Sequence, residues 1–213
     1  LHCLRLSRAA RRSSDLFARL ASAAVSSIAA LIVGLPMSAA TGIAQASHTF
    51  YYGFGTLNWQ RLGYSADLIG GLWALGVIAE IAVLMYSGRI VQRVGIVNLM
   101  MLGAAAGIVR WTLLALSPPL WVVLFAQLLH AGTFAITYLG ALQFIARQLP
   151  PSHAASAQTL NAGANALLMG LGMWALGPVY AAHGGLAYFA MPAMGVVATA
   201  AALWLRHLSR GDK

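Results

Sequence analysis

Acid is what this sequence has least of. In 213 residues it holds only 4 aspartates and glutamates, and Glu80 is the one glutamate. Cysteine is scarcer still: Cys3 stands alone, which excludes an internal disulfide framework and any cysteine-based metal site and leaves the redox compartment open. The signatures of intramembrane catalysis are missing too. There is no His-Glu-x-x-His metal pair and no Gly-x-Ser-x-Gly nucleophile turn, so an enzyme is not expected, and neither is a metal or a cofactor. No secretory cleavage pattern opens the chain. Charge of either sign is rare, at 8% of residues, while 60% are apolar and the mean hydropathy is +0.77. No soluble domain of this size keeps that balance, so the sequence belongs in a bilayer.

Hydrophobic runs of about 20 residues cross a hydrocarbon core about 30 Å thick. Six are readable, at roughly 37–58, 66–88, 95–116, 120–146, 155–181 and 186–206. Breakers separate them: Gly63, Gly88 with Gly95, Ser117-Pro118-Pro119, Pro150-Pro151 and Gly184-Gly185. Short connectors make neighbouring spans antiparallel. The expectation is an all-α, polytopic membrane helix bundle over 37–207, preceded by a basic and apolar segment (1–36) and followed by a short tail (208–213). Within the first segment, 18–35 reads as an interfacial helix or as an extension of span one kinked at Pro36.

A net charge of +9 invites a nucleic-acid reading, but the positions of the charges argue against it. Arg5, Arg8, Arg11, Arg12, Arg19, Arg89, Arg93, Arg147, Arg206, Arg210 and Lys213 all fall on one side of an alternating bundle, against Arg61 on the other. Basic loops mark the cytoplasmic side, so both termini are expected there, in a bacterial inner membrane.

Three ionisable residues stand out at depth inside the hydrocarbon. At about 1.5 Å per residue, Glu80 lies about 14 Å from the cytoplasmic end of its span, Arg110 about 12 Å and His130 about 16 Å from the Pro-Pro hairpin. A charge at that depth costs about 2.5–3.5 kcal/mol on insertion scales, which marks these three as functional candidates. Other polar residues recur at helical spacing: Gln45, His48 and Tyr52 with Tyr51 on span one, Gln127, His130, Phe134 and Thr137 with Thr133 on span four, and Gln158, Asn161 and Asn165 on span five. Together they outline a polar lumen, although interhelical hydrogen bonding is the simpler reading for Gln158, Asn161 and Asn165. The spacings Gly103…Gly107 and Gly163…Gly170 read as close helix packing.

Several of these stretches resemble a known family. SGRIVQRVG at 87–95 is similar to a degenerate second copy of the Gly-x-x-x-Asp-Arg-x-Gly-Arg loop of the major facilitator superfamily, with Arg89 and Arg93 as its conformational arginines. The run QASHTFYYGFGTLNWQRLGYSADLIGGLWALGVIAEIAVL at 45–84 resembles the carboxy-terminal half of the 3-phenylpropionic acid transporter group, to which lactose permease is more distantly similar. The resemblance implies one six-helix half of a major facilitator fold, in which the substrate is bound between two halves near the midplane. It implies a proton symporter of a small organic solute such as an aromatic carboxylate, with Glu80, Arg110 and His130 matching the permease's binding and proton-coupling residues. The permease's proton-carrying glutamate falls one turn after that histidine, where this chain has Thr133. A sugar or nucleoside symporter half, a small six-helix carrier or channel acting as a homodimer, and a non-transporting remnant remain open. The implied partners are a small-molecule substrate, a proton, the lipid bilayer and either a missing amino-terminal half or a second copy.

Overall fold

A computed structural model describes residues 37–211 of the chain. The segment 18–35, the basic residues before it and residues 212–213 lie outside the described residues. Those described contain helices and no strand. Backbone polar groups have no water to turn to in hydrocarbon, and a helix satisfies them internally.

The chain runs through α1 (37–46), α2 (Thr49–Arg61), α3 (Ala66–Met85), α4 (Ser87–Val94), α5 (Ile96–Ala115) and α6 (Leu120–Ala131). A π-helical turn, Gly132–Ile136, joins α6 to α7 (Thr137–Gln148). Then come α8 (Pro151–His183), a 3-10 turn at Gly184–Phe189 and α9 (Ala190–Gly211). Four helical stretches are long and apolar enough to cross a membrane: Ala66–Met85, Ile96–Ala115, Leu120–Gln148 and His153–Leu208. The last contains two expected spans, separated where Gly184 takes φ +57, a backbone angle that glycine adopts without a Cβ penalty. The first expected span, 37–58, is helical but broken at Ser47–His48.

Side-chain contacts fix the directions of the helices. Trp111 donates to Ser47, and Ala44 clusters with Ala104, so α1–α2 and α5 run the same way. Gly42 faces Asn165 and Gly172 faces Thr49, which aligns α8 with them. Thr137 abuts Gly103 and Met100 abuts Gly140, so α7 runs against α5, while the contacts Leu72 to Gln127 and Gly76 to His130 align α3 with α6. Gly195 against Ile108 and Arg206 against Met101 set α9 antiparallel to α5. Successive long helices therefore alternate in direction.

One end of the bundle is held by an aromatic core that includes Phe50, Tyr51, Trp59, Trp111 and Tyr188. Outside it, large apolar side chains face away from the protein, among them Trp174 at 81% exposed, Leu160 at 76% and Ile78 at 63%. A soluble monomer does not carry so much exposed apolar surface. The close packing expected at Gly103 is present, since a Cβ there would collide with Thr137. The expectation for Gly163 and Gly170 is corrected: a Cβ at either would meet nothing within 4 Å, because that face of α8 has no neighbour within the described residues. The Arg89–Arg93 segment, read as a loop, is helical. Ile90, Val91 and Val94 of α4 pack against Leu99 and Leu139, which leaves both arginines exposed.

Candidate functional site

The site begins where α1 ends. Ser47 Oγ donates to the carbonyl of Ala44 at 2.6 Å, and His48 Nδ1 lies 3.1 Å and 3.2 Å from the carbonyls of Ala44 and Gln45. These side chains compete with the backbone ladder and break the helix at their own position. Because only an N–H can satisfy two carbonyls, the His48 proton sits on Nδ1. Nε2 is then an acceptor, 3.0 Å from Thr133 Oγ1 in the π-helical turn.

On α3, Gly76 admits the next helix. A Cβ there would stand 3.2 Å from His130 Cδ2, and this close approach lets Glu80, one turn further on, reach the imidazole. His130 Nε2 and Glu80 Oε1 are 2.6 Å apart, and the Tyr52 hydroxyl lies 3.4 Å from the same nitrogen. His130 Nδ1 is buried without a partner. An unfilled ring acceptor is cheaper to bury than an unpaired N–H, so Nε2–H donating to the carboxylate is the favoured arrangement. The Glu80 side chain is 17% exposed against 4% for His130, and the acid is thus the member of the pair that opens outward.

Arg110 does the reverse. It is fully buried, and its guanidinium donates through Nε to the Ala126 carbonyl (2.8 Å), through Nη1 to Thr133 Oγ1 (3.3 Å) and through Nη2 to Gln127 Oε1 (3.2 Å). It also lies 4.4 Å from the ring centres of both Tyr51 and Trp111. Desolvated cation–π contacts are worth about 2 kcal/mol or more, so two rings offset much of the cost of burying the charge. Among the described residues no carboxylate pairs with it. Gln127 is likewise fully occupied, accepting from Arg110 and donating to the Tyr51 hydroxyl and the Leu72 carbonyl, both at 2.8 Å.

The predicted residues thus fall into three groups. Glu80, His130 and Tyr52 meet at an opening. His48, Tyr51, Arg110 and Gln127 form a buried network behind it. Gln45, Asn161 and Asn165, with Gln158, line a cavity of about 270 Å³ beside Phe134 and Tyr138. Gln45 Nε2 donates to the Phe134 carbonyl at 3.3 Å. Gln158, Asn161 and Asn165 make no side-chain hydrogen bond among the described residues, so the interhelical bonding expected of them is not seen there. Arg89 and Arg93 lie on α4, apart from all three groups. Trp73 was not singled out by sequence, yet it stacks on Tyr52 at 5.9 Å and 12° and donates to Thr56 Oγ1 at 3.0 Å. Its signal was available, because Trp73, Gly76 and Glu80 follow the i, i+3, i+7 spacing of one helix face. No group of three His, Cys, Asp or Glu side chains among the described residues stands where a metal could be held.

Apolar helices of alternating direction, with an acid–histidine pair opening from their interior, describe a multi-pass membrane protein. The chain belongs to the MFS_1 like family, whose pattern matches residues 27–191. It is 36% identical over 104 residues to the "Probable 3-phenylpropionic acid transporter" of Escherichia coli (strain K12), covering 49% of this chain and 27% of that one. It is also 29% identical over 114 residues to the "Uncharacterized transporter YwbF" of Bacillus subtilis (strain 168), and 31% identical over 114 residues to the "Maltose permease" of Geobacillus stearothermophilus. Each of these matches covers 54% of this chain and 28% of the relative. The matched stretch therefore spans little more than a quarter of these relatives' length. No solved structure matches the chain.

Proposed function

We propose that the chain forms six membrane spans and supplies one half of a proton-coupled secondary transporter, in a bacterial inner membrane with both termini cytoplasmic. The observation that carries this reading is the Glu80–His130 pair, an acid bonded to an imidazole at 2.6 Å on helices built for lipid and partly open on one side. Intramembrane acid–histidine pairs are the usual elements of proton relays. Glu80 and His130 exchange the coupling proton, and Tyr52 and Trp73 give the solute a ring surface beside it. The name of the Escherichia coli relative supports an aromatic carboxylate as the solute. The fully enclosed guanidinium of Arg110 then acts on it through the Gln127–Tyr51 network, and the solute's own contacts are made at the opening.

On this reading the open flank of α8 and the exposed apolar face of α3 are covered by the other half, supplied by six further helices or by a second copy. Proteoliposome uptake tests this. The chain alone should give no saturable, proton-driven accumulation of 3-phenylpropionate, and co-reconstitution with a complementary six-helix half should produce it. Robust uptake by the chain alone would favour the homodimer, and no uptake with any partner would overturn the transport reading.

A further inference from the structure

The cavity next to the Glu80–His130 pair differs from it in kind. Of its lining side chains none carries a charge at neutral pH; they are carboxamides, apolar groups, Phe134 and the Tyr138 phenol. An ion entering it would lose hydration and gain no counter-charge. A hydroxyl would gain much, because it donates and accepts at once, and so does a carboxamide.

The carboxamides are also unspent. Gln45 uses its N–H on the Phe134 carbonyl and keeps its oxygen free, while Gln158, Asn161 and Asn165 have no protein partner among the described residues. Asn165 Oδ1 lies only 3.3 Å from where a Cβ on Gly42 would stand, so the glycine leaves room for it at the cavity wall. Facing α8 is a flat surface. The His130 and Phe134 rings stack at 5.7 Å and 29°, and Phe134 and Tyr138 at 6.3 Å and 15°, a ladder at i, i+4 and i+8 that leads from the proton-handling pair into the cavity.

We propose that this cavity is a specificity subsite for an uncharged, hydroxyl-bearing ring, stacked on Phe134 and Tyr138 and hydrogen-bonded by Asn161, Asn165 and Gln158. This rests on the transport reading for its place beside the translocation path, but binding to the cavity does not require transport. A hydroxylated aromatic ring and a sugar ring share the chemistry, and at about 270 Å³ the cavity admits one ring of either kind.

The test is equilibrium binding of labelled probes to the full chain in lipid nanodiscs. The probes are 3-(4-hydroxyphenyl)propionate, its unhydroxylated counterpart 3-phenylpropionate, and methyl glucoside, with thermal stability followed in parallel. The hydroxylated aromatic or the glucoside should bind saturably, and whichever does identifies the source. Asn161→Leu and Asn165→Leu should each weaken that probe by about tenfold, roughly the loss of one hydrogen bond to a neutral group, and leave 3-phenylpropionate unchanged. Asn161→Gln should recover part of the loss. Gly42→Ala, which presses on Asn165 without removing it, should show the same selectivity in weaker form. Equal weakening of both aromatic probes, no effect of the asparagine variants, or no saturable binding of either hydroxylated probe would overturn the subsite. Binding with the predicted selectivity but no uptake in proteoliposomes with any partner, neither a complementary six-helix half nor a second copy, would sink the transport reading and leave the subsite standing.

Discussion

Arg110 and Glu80 are both ionisable residues within the hydrocarbon, yet the structure gives them different work. Arg110 has its donors spent on Ala126, Gln127 and Thr133 and its faces covered by Tyr51 and Trp111. Removing it strands buried acceptors, at about 1–3 kcal/mol for each group left unpaired. Glu80 instead touches one imidazole and the opening. Arg110→Leu should therefore lower the detergent unfolding temperature of the chain, with Arg110→Lys intermediate. Glu80→Gln, which keeps shape and one hydrogen bond, should leave that temperature nearly unchanged while abolishing the pH dependence of solute accumulation in the assembled transporter. Equal thermal losses in the two variants, or normal proton-driven accumulation in Glu80→Gln, would show that the acid is structural. That Arg110 and His130 lie at similar levels on helices joined by the Pro-Pro hairpin, with Glu80 well inside its own span, was the expectation from counting along helices. That one of them is walled in was not, because the enclosure depends on rings from α2 and α5 and on Gln127 from α6, whose convergence no spacing within a single helix expresses.

At the scale of elements, the long apolar helices were legible and their interruptions were not. Pro118-Pro119 and Gly184-Gly185 announce turns, and the structure turns there. The π-helical turn at Gly132–Ile136 carries no such signal, since Gly-Thr-Phe-Ala-Ile contains no proline; it becomes visible only as the place where Thr133 meets His48 and the Phe134 carbonyl takes a bond from Gln45. Such turns are frequent at functional sites, and this one sits between the Glu80–His130 pair and the cavity. The helix of Arg89 and Arg93 was hidden by its brevity, for eight residues give little periodicity, and the packing of Ile90, Val91 and Val94 on Leu99 and Leu139 is what holds it. Gly103 illustrates a spacing that did translate into packing. A methyl group there collides with Thr137 Oγ1, itself buried without a partner. Gly103→Ala should cost about 1–3 kcal/mol through overpacking, and Thr137→Ala in the same chain should restore most of it. A double-mutant cycle on thermal or denaturant unfolding measures the coupling, and simple additivity of the two changes would place the conflict elsewhere.

For the whole molecule the decisive property is asymmetry. The opening at Glu80, the carboxamides of α8 and the glycines at 163 and 170 all lie on surface that the described residues leave uncovered, whereas α5 is packed by α7, α9 and the aromatic core around Trp111. On the proposed transport reading, a helix bundle that hides its most polar buried network yet leaves an acid–histidine pair ajar is half of an enclosure, and its sidedness would set the direction of proton flow. Two features bear on sidedness. The alternation of helix directions brings Arg89, Arg93 and Arg147 to one end of the bundle, and Arg61 lies at the other, over the Tyr180 ring and against Gly184. Basic residues concentrate on the cytoplasmic side of a bilayer, so the proposed orientation puts the Arg147 end inward. Cysteines introduced at 147 and at 118, after Cys3 is replaced, make this measurable with an impermeant thiol reagent on intact cells. The 118 variant should label from outside and the 147 variant only after the cells are opened. Labelling at 147 but not at 118 in intact cells would invert the molecule, and with it the side from which the proposed proton path to Glu80 would be entered.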